Sequence, residues 1–187
     1  MLLPTHNIVL AFEERLSSNL VKFAQSNFEE ISDGYCLSDQ AIPHVTLSQV
    51  NLHDFSNIKG LQKELLNINL NKVVLCPTSF SFRYGYNDHE GFIWVEIGIR
   101  KSRDLVEAHK KVCEVLFSYD LKPLNAYGGE YHPHITFCRV RLGSKTPEMQ
   151  FETFLTQTIE GSFLAFGESD HNGQLLNILW KDENLKG

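Results

Sequence analysis

Two octapeptides of the chain match each other position by position, and this repeat limits the possible folds more than any other feature. Residues 43–50 read PHVTLSQV and residues 133–140 read PHITFCRV, so Pro, His, Thr and the final Val are identical. The two histidines lie 90 residues apart. In both segments apolar and polar residues alternate, which is typical of a strand with one buried face. The repeat indicates that one structural unit occurs twice.

The predicted elements repeat together with the octapeptides. After a first strand, the order helix, strand, helix, strand, strand occurs twice, because apolar spacings of three and four alternate with β-rich runs. Helices are predicted at 13–30, 56–70, 102–119 and 147–159, strands at 7–12, 44–52, 72–85, 91–99, 134–142, 162–166 and 174–180, a turn at 32–34 and loops at 86–90 and 168–173. This order predicts two duplicated α/β lobes with mostly antiparallel, hairpin-connected sheets.

Composition excludes several classes of function. Seventeen Lys and Arg against 23 Asp and Glu give a net charge of −6, which argues against a duplex DNA partner, since such binding neutralises many phosphates. No apolar run reaches the ~18 residues that span a bilayer, and the N-terminus lacks a basic signal region. The four cysteines form no C-x-x-C pair. We expect a cytoplasmic monomer with free thiols and no membrane partner.

Each repeat places a histidine and a threonine side by side. Side chains alternate along a strand, so His44 and Thr46 leave one face, as do His134 and Thr136. If a pseudo-twofold axis relates the lobes, two imidazoles and two hydroxyls face each other across a groove. Imidazoles can take or give a proton at neutral pH, and hydroxyls can stabilise charge on phosphate oxygens. The set suits in-line attack on a phosphodiester without a metal, and leaves open which histidine is the base.

The paired His-x-Thr-hydrophobic tetrapeptides resemble the signature of the 2H phosphoesterase superfamily, which includes RNA 2′,3′-cyclic phosphodiesterases and 2′-5′ RNA ligases. The Pro-His-x-Thr-hydrophobic-x-Arg form of the second motif matches residues 133–139 in full. The resemblance implies one α+β domain over residues 1–187, with two lobes, helices on the outside and a central groove. It also implies catalysis by the four motif residues without a cofactor. The expected partner is a nucleotide or RNA end carrying a cyclic phosphate or a 2′,5′ linkage.

Five further residues are predicted to contact substrate: Tyr84, Tyr86, Tyr131, His132 and Arg139. Tyr84 and Tyr86 lie nearest the hairpin turn and form an aromatic series with Phe80 and Phe82. We expect this series to contact Trp94 and to provide a surface on which a nucleobase stacks. An ideal strand would put Arg139 on the face opposite His134, so a structural ion pair is its alternative role. Arg83 is a weaker phosphate candidate.

Other interpretations stay open at this point. A metal could be shared by His132 and His134 with His44 or Cys138, although no carboxylate sits at ligand spacing in the sequence. The substrate could instead be a small cyclic nucleotide or ADP-ribose cyclic phosphate, which the acidic net charge favours over a long RNA. A nucleotide-binding module with little activity is the third alternative. The remaining histidines are expected to be surface or core residues: His6, His53, His89, His109 and His171.

Overall fold

A computed structural model describes residues 5–52, 58–68, 73–86, 89–145, 147–149, 151–160 and 162–182. Within these ranges it contains eight β-strands and three α-helices. In chain order they are β1 (Thr5–Phe12), α1 (Glu14–Phe28), β2 (Ser32–Cys36), β3 (His44–Asn51), α2 (Ile58–Leu66), β4 (Pro77–Tyr84), β5 (Phe92–Ile99), α3 (Arg103–Ser118), β6 (His134–Arg141), β7 (Ser162–Ser169) and β8 (Leu175–Lys181). The predicted start of the second helix, at Ser56, lies outside the described residues.

The strands form two four-stranded antiparallel sheets. The order is β3-β1-β7-β8 in the first sheet and β2-β6-β5-β4 in the second. Each sheet therefore contains one of the two repeat strands, β3 or β6. The predicted α+β fold with a duplicated, two-lobed arrangement is confirmed.

Each sheet is completed by a hairpin from the other half of the sequence. The hairpin β4–β5 precedes the second repeat but pairs with β6, whereas β7–β8 follows that repeat and joins β1 and β3. Helices α1 and α3 are exchanged as well, since each packs against the sheet that contains the repeat strand of the other half. Phe23 of α1 packs against Phe137 of the second sheet with 5.1 Å between ring centroids, and His109 of α3 contacts the Leu47 carbonyl of the first. Because of this exchange, neither half of the sequence can complete its sheet alone.

Both repeat strands contain a β-bulge at the same place, one residue after the threonine. Pairing of β3 with β1 skips Leu47, and pairing of β6 with β5 skips Phe137. The extra residue shifts the alternation of side chains. Gln49 and Arg139, which follow the bulges, thereby return to the face that carries the histidines. The expectation that Arg139 lies on the face opposite His134 is therefore wrong.

One further prediction of local structure is wrong, and another is met inside a strand. The described part of 147–159 contains no α-helix, only a 3₁₀ turn at Thr153–Thr156. Ile159 instead exchanges backbone hydrogen bonds with Leu75 at 2.8 and 3.0 Å, so tertiary pairing overrides the helical spacing of the apolar residues. The predicted turn at 32–34 is present as an interruption of β2, an edge strand whose pairing with β6 passes from Ser32 directly to Cys36. Gly34 has a φ of 106° there.

Two other predictions hold in the described residues, namely the start of α3 and the free state of the cysteines. The helix α3 begins as expected after Ser102, whose Oγ accepts a hydrogen bond from the Leu105 N–H at 3.3 Å. All four cysteines are unpaired. Among the residues described, no helix has the length and apolar character needed to cross a membrane.

Candidate active site

The two His-x-Thr pairs line one groove between the sheets. His44 and Thr46 enter it from β3, and His134 and Thr136 enter it from β6. This part of the groove has a volume of about 360 Å³. It continues into a second part of about 330 Å³ beside the β4–β5 hairpin. Cavities of this size are typical of small-molecule sites, so a mononucleotide or the end of a nucleic acid chain is the appropriate scale of ligand.

Both motif histidines are held in the same way, by the backbone carbonyl two residues earlier. His44 Nδ1 lies 2.7 Å from the Ile42 carbonyl oxygen, and His134 Nδ1 lies 2.8 Å from that of His132. A carbonyl oxygen can only accept, so Nδ1 carries a proton in each ring. Nε2 is consequently the nitrogen that can gain or lose a proton during a reaction.

The electrostatic setting of the groove lowers the pKa of both imidazoles. Burial, together with positive charge on His134, lowers the pKa of His44 to about 4. Burial also lowers the pKa of His134, whereas the neighbouring Glu96 carboxylate raises it. Two charged imidazoles in one groove repel each other. The site therefore favours states in which at most one of the two rings is positively charged.

The main residue that sequence reasoning missed is Glu96. Its side chain is only 4% exposed, and its Oε2 lies 3.7 Å from His134 Nε2. Its Oε1 lies 2.9 Å from His132 Nε2 and 3.6 Å from Arg83 Nη1. The signal was present in the sequence, because Glu96 is the one acid in the apolar strand FIWVEIGI and a buried charge requires partners. It also supplies the carboxylate that the sequence spacing did not reveal, so Glu96, His132 and His134 could hold a metal ion.

Tyr131 and His109 support the first repeat strand. Tyr131 is buried, and its hydroxyl donates a hydrogen bond to the Thr46 carbonyl oxygen at 3.0 Å. Its ring stacks on His109 with 3.9 Å between centroids. His109 Nδ1 lies 2.8 Å from the Leu47 carbonyl oxygen, and its Nε2 accepts from the Gly128 N–H. These contacts hold the bulge of β3. Tyr131 also lines the first part of the groove, so its contact with substrate stays a prediction.

Arg139 lies on the groove face but is engaged by other protein groups. Its Nη2 is 2.8 Å from Asp33 Oδ2, and its Nη1 is 3.1 Å from His89 Nδ1. Its guanidinium lies over the rings of Phe92 and Trp94, at 4.6 and 5.2 Å from their centroids. The alternative of a structural ion pair is thus the arrangement observed. Arg139 contacts His89 and Trp94, which line the second part of the groove.

The remaining predicted contacts lie along the groove wall. Tyr86 is 72% exposed and Tyr84 is 41% exposed, and both line the second part of the groove. The aromatic series of β4 does not share a face with Trp94, because Trp94 pairs directly with Arg83. Arg83 instead points to the groove, lines both of its parts and is half exposed, which makes it a stronger phosphate candidate than the sequence indicated. His132 lines the first part.

Amide side chains complete the polar lining, and sequence reasoning missed them as well. Gln49 lines the groove at the position equivalent to Arg139, and its Nε2 donates to the Asp170 carbonyl oxygen at 3.0 Å. Asn125 Oδ1 accepts from the Gln49 N–H at 2.8 Å. Asn172, in the turn between β7 and β8, lines both parts of the groove. Only Gln49 had a signal in the sequence, namely its place in the repeat.

Comparison with known proteins establishes the class of fold. No protein-family model and no curated protein sequence matches the chain. Solved structures do match over nearly its whole length, and they carry the two-lobed fold of phosphoesterases. One is a phosphoesterase with 14% sequence identity and a TM-score of 0.65, covering 97% of this chain and 98% of that one.

Two named proteins share this fold. E. coli LigT, solved with 3′-AMP, has 14% identity and a TM-score of 0.66, covering 96% of this chain and 97% of that one. Usb1 of Kluyveromyces marxianus has 11% identity and a TM-score of 0.54, covering 87% of this chain and 92% of that one. At these identities the likeness establishes the fold, and function has to be argued from the groove.

Proposed function

We propose that the chain is a 2H phosphoesterase that hydrolyses 2′,3′-cyclic phosphates, or 2′,5′ linkages, of nucleotides or RNA ends without a metal. The observation that carries this proposal is the symmetry of the site. Two histidines on equivalent strands each anchor Nδ1 on the carbonyl two residues earlier, and both share one groove with the two threonines. The phosphoesterase fold, found in a protein solved with 3′-AMP, supports it.

In this mechanism the two histidines take different roles. His44 is the base, because its buried ring is neutral at physiological pH and can take a proton from water through Nε2. The water oxygen forms a bond to phosphorus, and the bond from phosphorus to one ribose oxygen breaks. His134 donates a proton to that leaving oxygen. One water is consumed, and the cyclic phosphate becomes a monoester. With the hydroxyl of a second chain end in place of water, the same groups would join two ends.

The other groove residues bind the substrate around the phosphorus atom. Thr46 and Thr136 donate hydrogen bonds to the non-bridging oxygens, where charge accumulates in the transition state. Arg83 contributes positive charge at the point where both parts of the groove meet. Tyr84 and Tyr86 offer a face on which a nucleobase can stack, worth about 1–3 kcal/mol.

The proposal is tested by incubating the pure chain with 2′,3′-cyclic mononucleotides, cyclic-ended RNA and 2′,5′-oligonucleotides in the presence of EDTA. We expect turnover of at least one of them at the rate seen without the chelator, because the four motif groups supply all the proton transfers and charge stabilisation. Product is measured by chromatography. Loss of turnover in EDTA, with recovery on adding a metal, would contradict the mechanism. Binding without turnover would instead favour a nucleotide-binding module. ADP-ribose cyclic phosphate tests the small-substrate alternative.

The acid side of the pH profile should lie far below the range of an ordinary histidine. The base must be neutral, and burial lowers the pKa of His44 from 6.5 to about 4, so the rate should fall only as the pH approaches 4. Initial rates at low substrate concentration, from pH 8 downward, measure this limb. A limb with its midpoint near pH 6.5 would contradict the assignment of His44 as the base.

The same shift sets the control for that experiment. The unfolded chain takes up this proton at a pH near 6.5, whereas the folded chain takes it up only near 4. Protonation of His44 therefore lowers the free energy of unfolding as the pH falls from about 6.5 to about 4. Circular dichroism at each pH separates loss of base function from loss of fold.

A further inference from the structure

Three potential metal ligands converge on the wall of the groove, and the proposed reaction uses only one of them directly. Glu96 Oε1 lies 2.9 Å from His132 Nε2, and Glu96 Oε2 lies 3.7 Å from His134 Nε2. The three ligand atoms all lie within 4.8 Å of one another. A tetrahedral zinc ion with bonds of about 2.0–2.2 Å holds its ligand atoms roughly 3.3–3.5 Å apart. This separation falls within the 4.8 Å limit that holds for one ligand atom from each of the three residues.

The orientation of the ligands also suits a metal. His134 donates its Nδ1 proton to the His132 carbonyl oxygen at 2.8 Å, and histidines that bind metals almost always fix their other nitrogen in this way. The rings of His132 and His134 lie 27° from parallel with 5.1 Å between centroids, and the Nε2 atoms of both approach the same carboxylate. The geometry of the three groups is thus present before any ion arrives.

The donor set selects the kind of ion. Two imidazoles and one carboxylate suit Zn²⁺, whereas Mg²⁺ prefers oxygen ligands. The carboxylate of Glu96 is buried, so its negative charge is poorly screened and attracts a cation strongly. Its present cationic neighbour, Arg83, is 3.6 Å away and half exposed, so it can move aside into solvent.

We propose that Glu96, His132 and His134 form a zinc site that switches the groove off. Three protein ligands leave the fourth position of a tetrahedral ion open toward the groove, for a water or a phosphate oxygen. A zinc ion on His134 Nε2 occupies the nitrogen that would donate the proton. The binding itself is independent of the proposed function, and only the inhibition rests on it.

Zinc binding is tested directly by calorimetry on the metal-free full chain, with Mg²⁺ as the comparison ion. We expect one Zn²⁺ per chain and no comparable Mg²⁺ binding. Glu96→Gln and His132→Ala should each weaken Zn²⁺ binding by about tenfold or more, since each removes a ligand. His171→Ala, which removes an exposed histidine elsewhere, should bind as the wild type does. Equal affinities in all four proteins would overturn the site.

A further variant guards against general damage to the groove. Arg83→Ala keeps all three ligands and removes a competing positive charge, so it should bind Zn²⁺ at least as tightly as the wild type. If Arg83→Ala lost affinity as Glu96→Gln does, the ligand assignment would be wrong. Circular dichroism of each variant confirms that the fold persists.

Inhibition is then measured by titrating Zn²⁺ into the turnover assay. The wild type should lose at least about 90% of its rate on saturation, and EDTA should restore it. His132→Ala, whatever its own rate, should need about ten times more Zn²⁺ for the same loss. If the wild type turns nothing over in EDTA, the proposed function fails while calorimetry still decides the site. Binding without inhibition would overturn the switch alone.

Discussion

Replacing either motif histidine by alanine is expected to remove nearly all turnover while the fold persists. His44→Ala deletes the proposed base and His134→Ala deletes the proposed acid, and each proton transfer contributes about 10²–10⁴-fold to the rate. Both rings sit at the groove rather than in the main core cluster, so their loss leaves the packing of the sheets intact. Steady-state kcat and KM, measured with the best substrate of the panel, check the result.

The double variant distinguishes a two-histidine mechanism from two independent contributions. If both groups act in the same step, His44→Ala combined with His134→Ala should be little slower than either single change. His171→Ala is the control for an exposed histidine and should be near wild type, as should His53→Ala, which lies outside the described residues. Full activity in His44→Ala, or a loss in His171→Ala equal to that of the motif variants, would show that other residues build the site.

The part of the site that could be predicted is the part that depends on local periodicity. Alternation along a strand put His44 with Thr46 and His134 with Thr136, and the repeat placed the two pairs in equivalent positions. The groove between the sheets bears this out, since all four side chains line it. The two-lobed α+β fold followed from the same repeat, because a duplicated unit with hairpins builds two antiparallel sheets.

The features of the site that could not be predicted from the sequence depend on pairing between distant strands. The bulges at Leu47 and Phe137 exist only relative to β1 and β5, and they decide on which face Gln49 and Arg139 lie. Nothing in the spacing along one strand marks an extra residue, so the ideal alternation failed for Arg139. The exchange of hairpins between halves escaped prediction for the same reason.

Glu96 shows how the missing information changes the chemistry. Its strand is separated in sequence from both motifs, yet cross-strand pairing sets it directly opposite Thr136. From there its carboxylate reaches His132 and His134, which a search for ligands by sequence spacing could not find. A lone acid in an apolar strand is therefore a signal worth following even when no motif contains it.

Replacing a motif threonine should lower kcat less than replacing a motif histidine. The effects of the two threonine changes should also combine differently from those of the two histidine changes. Thr46→Val and Thr136→Val keep the branched shape that suits a strand and delete only the hydroxyl. Each should lower kcat by about 10–1000-fold, because a hydrogen bond to a non-bridging oxygen strengthens as charge develops there. Thr46→Ser and Thr136→Ser retain the hydroxyl and serve as matched controls, with rates close to wild type.

The double valine variant provides the sharper test. The two hydroxyls are proposed to serve different oxygens of one phosphate, so the two losses should multiply, unlike those of the paired histidines. The carbonyl oxygen of Thr46 also accepts a hydrogen bond from the Tyr131 hydroxyl. Because this bond involves the backbone, it is retained when Thr46 is changed to valine. A loss in Thr46→Val therefore reports the hydroxyl and not the backbone. If the valine variants raised KM and left kcat unchanged, the hydroxyls would bind substrate and transition state equally, and their proposed part in the chemical step would be wrong.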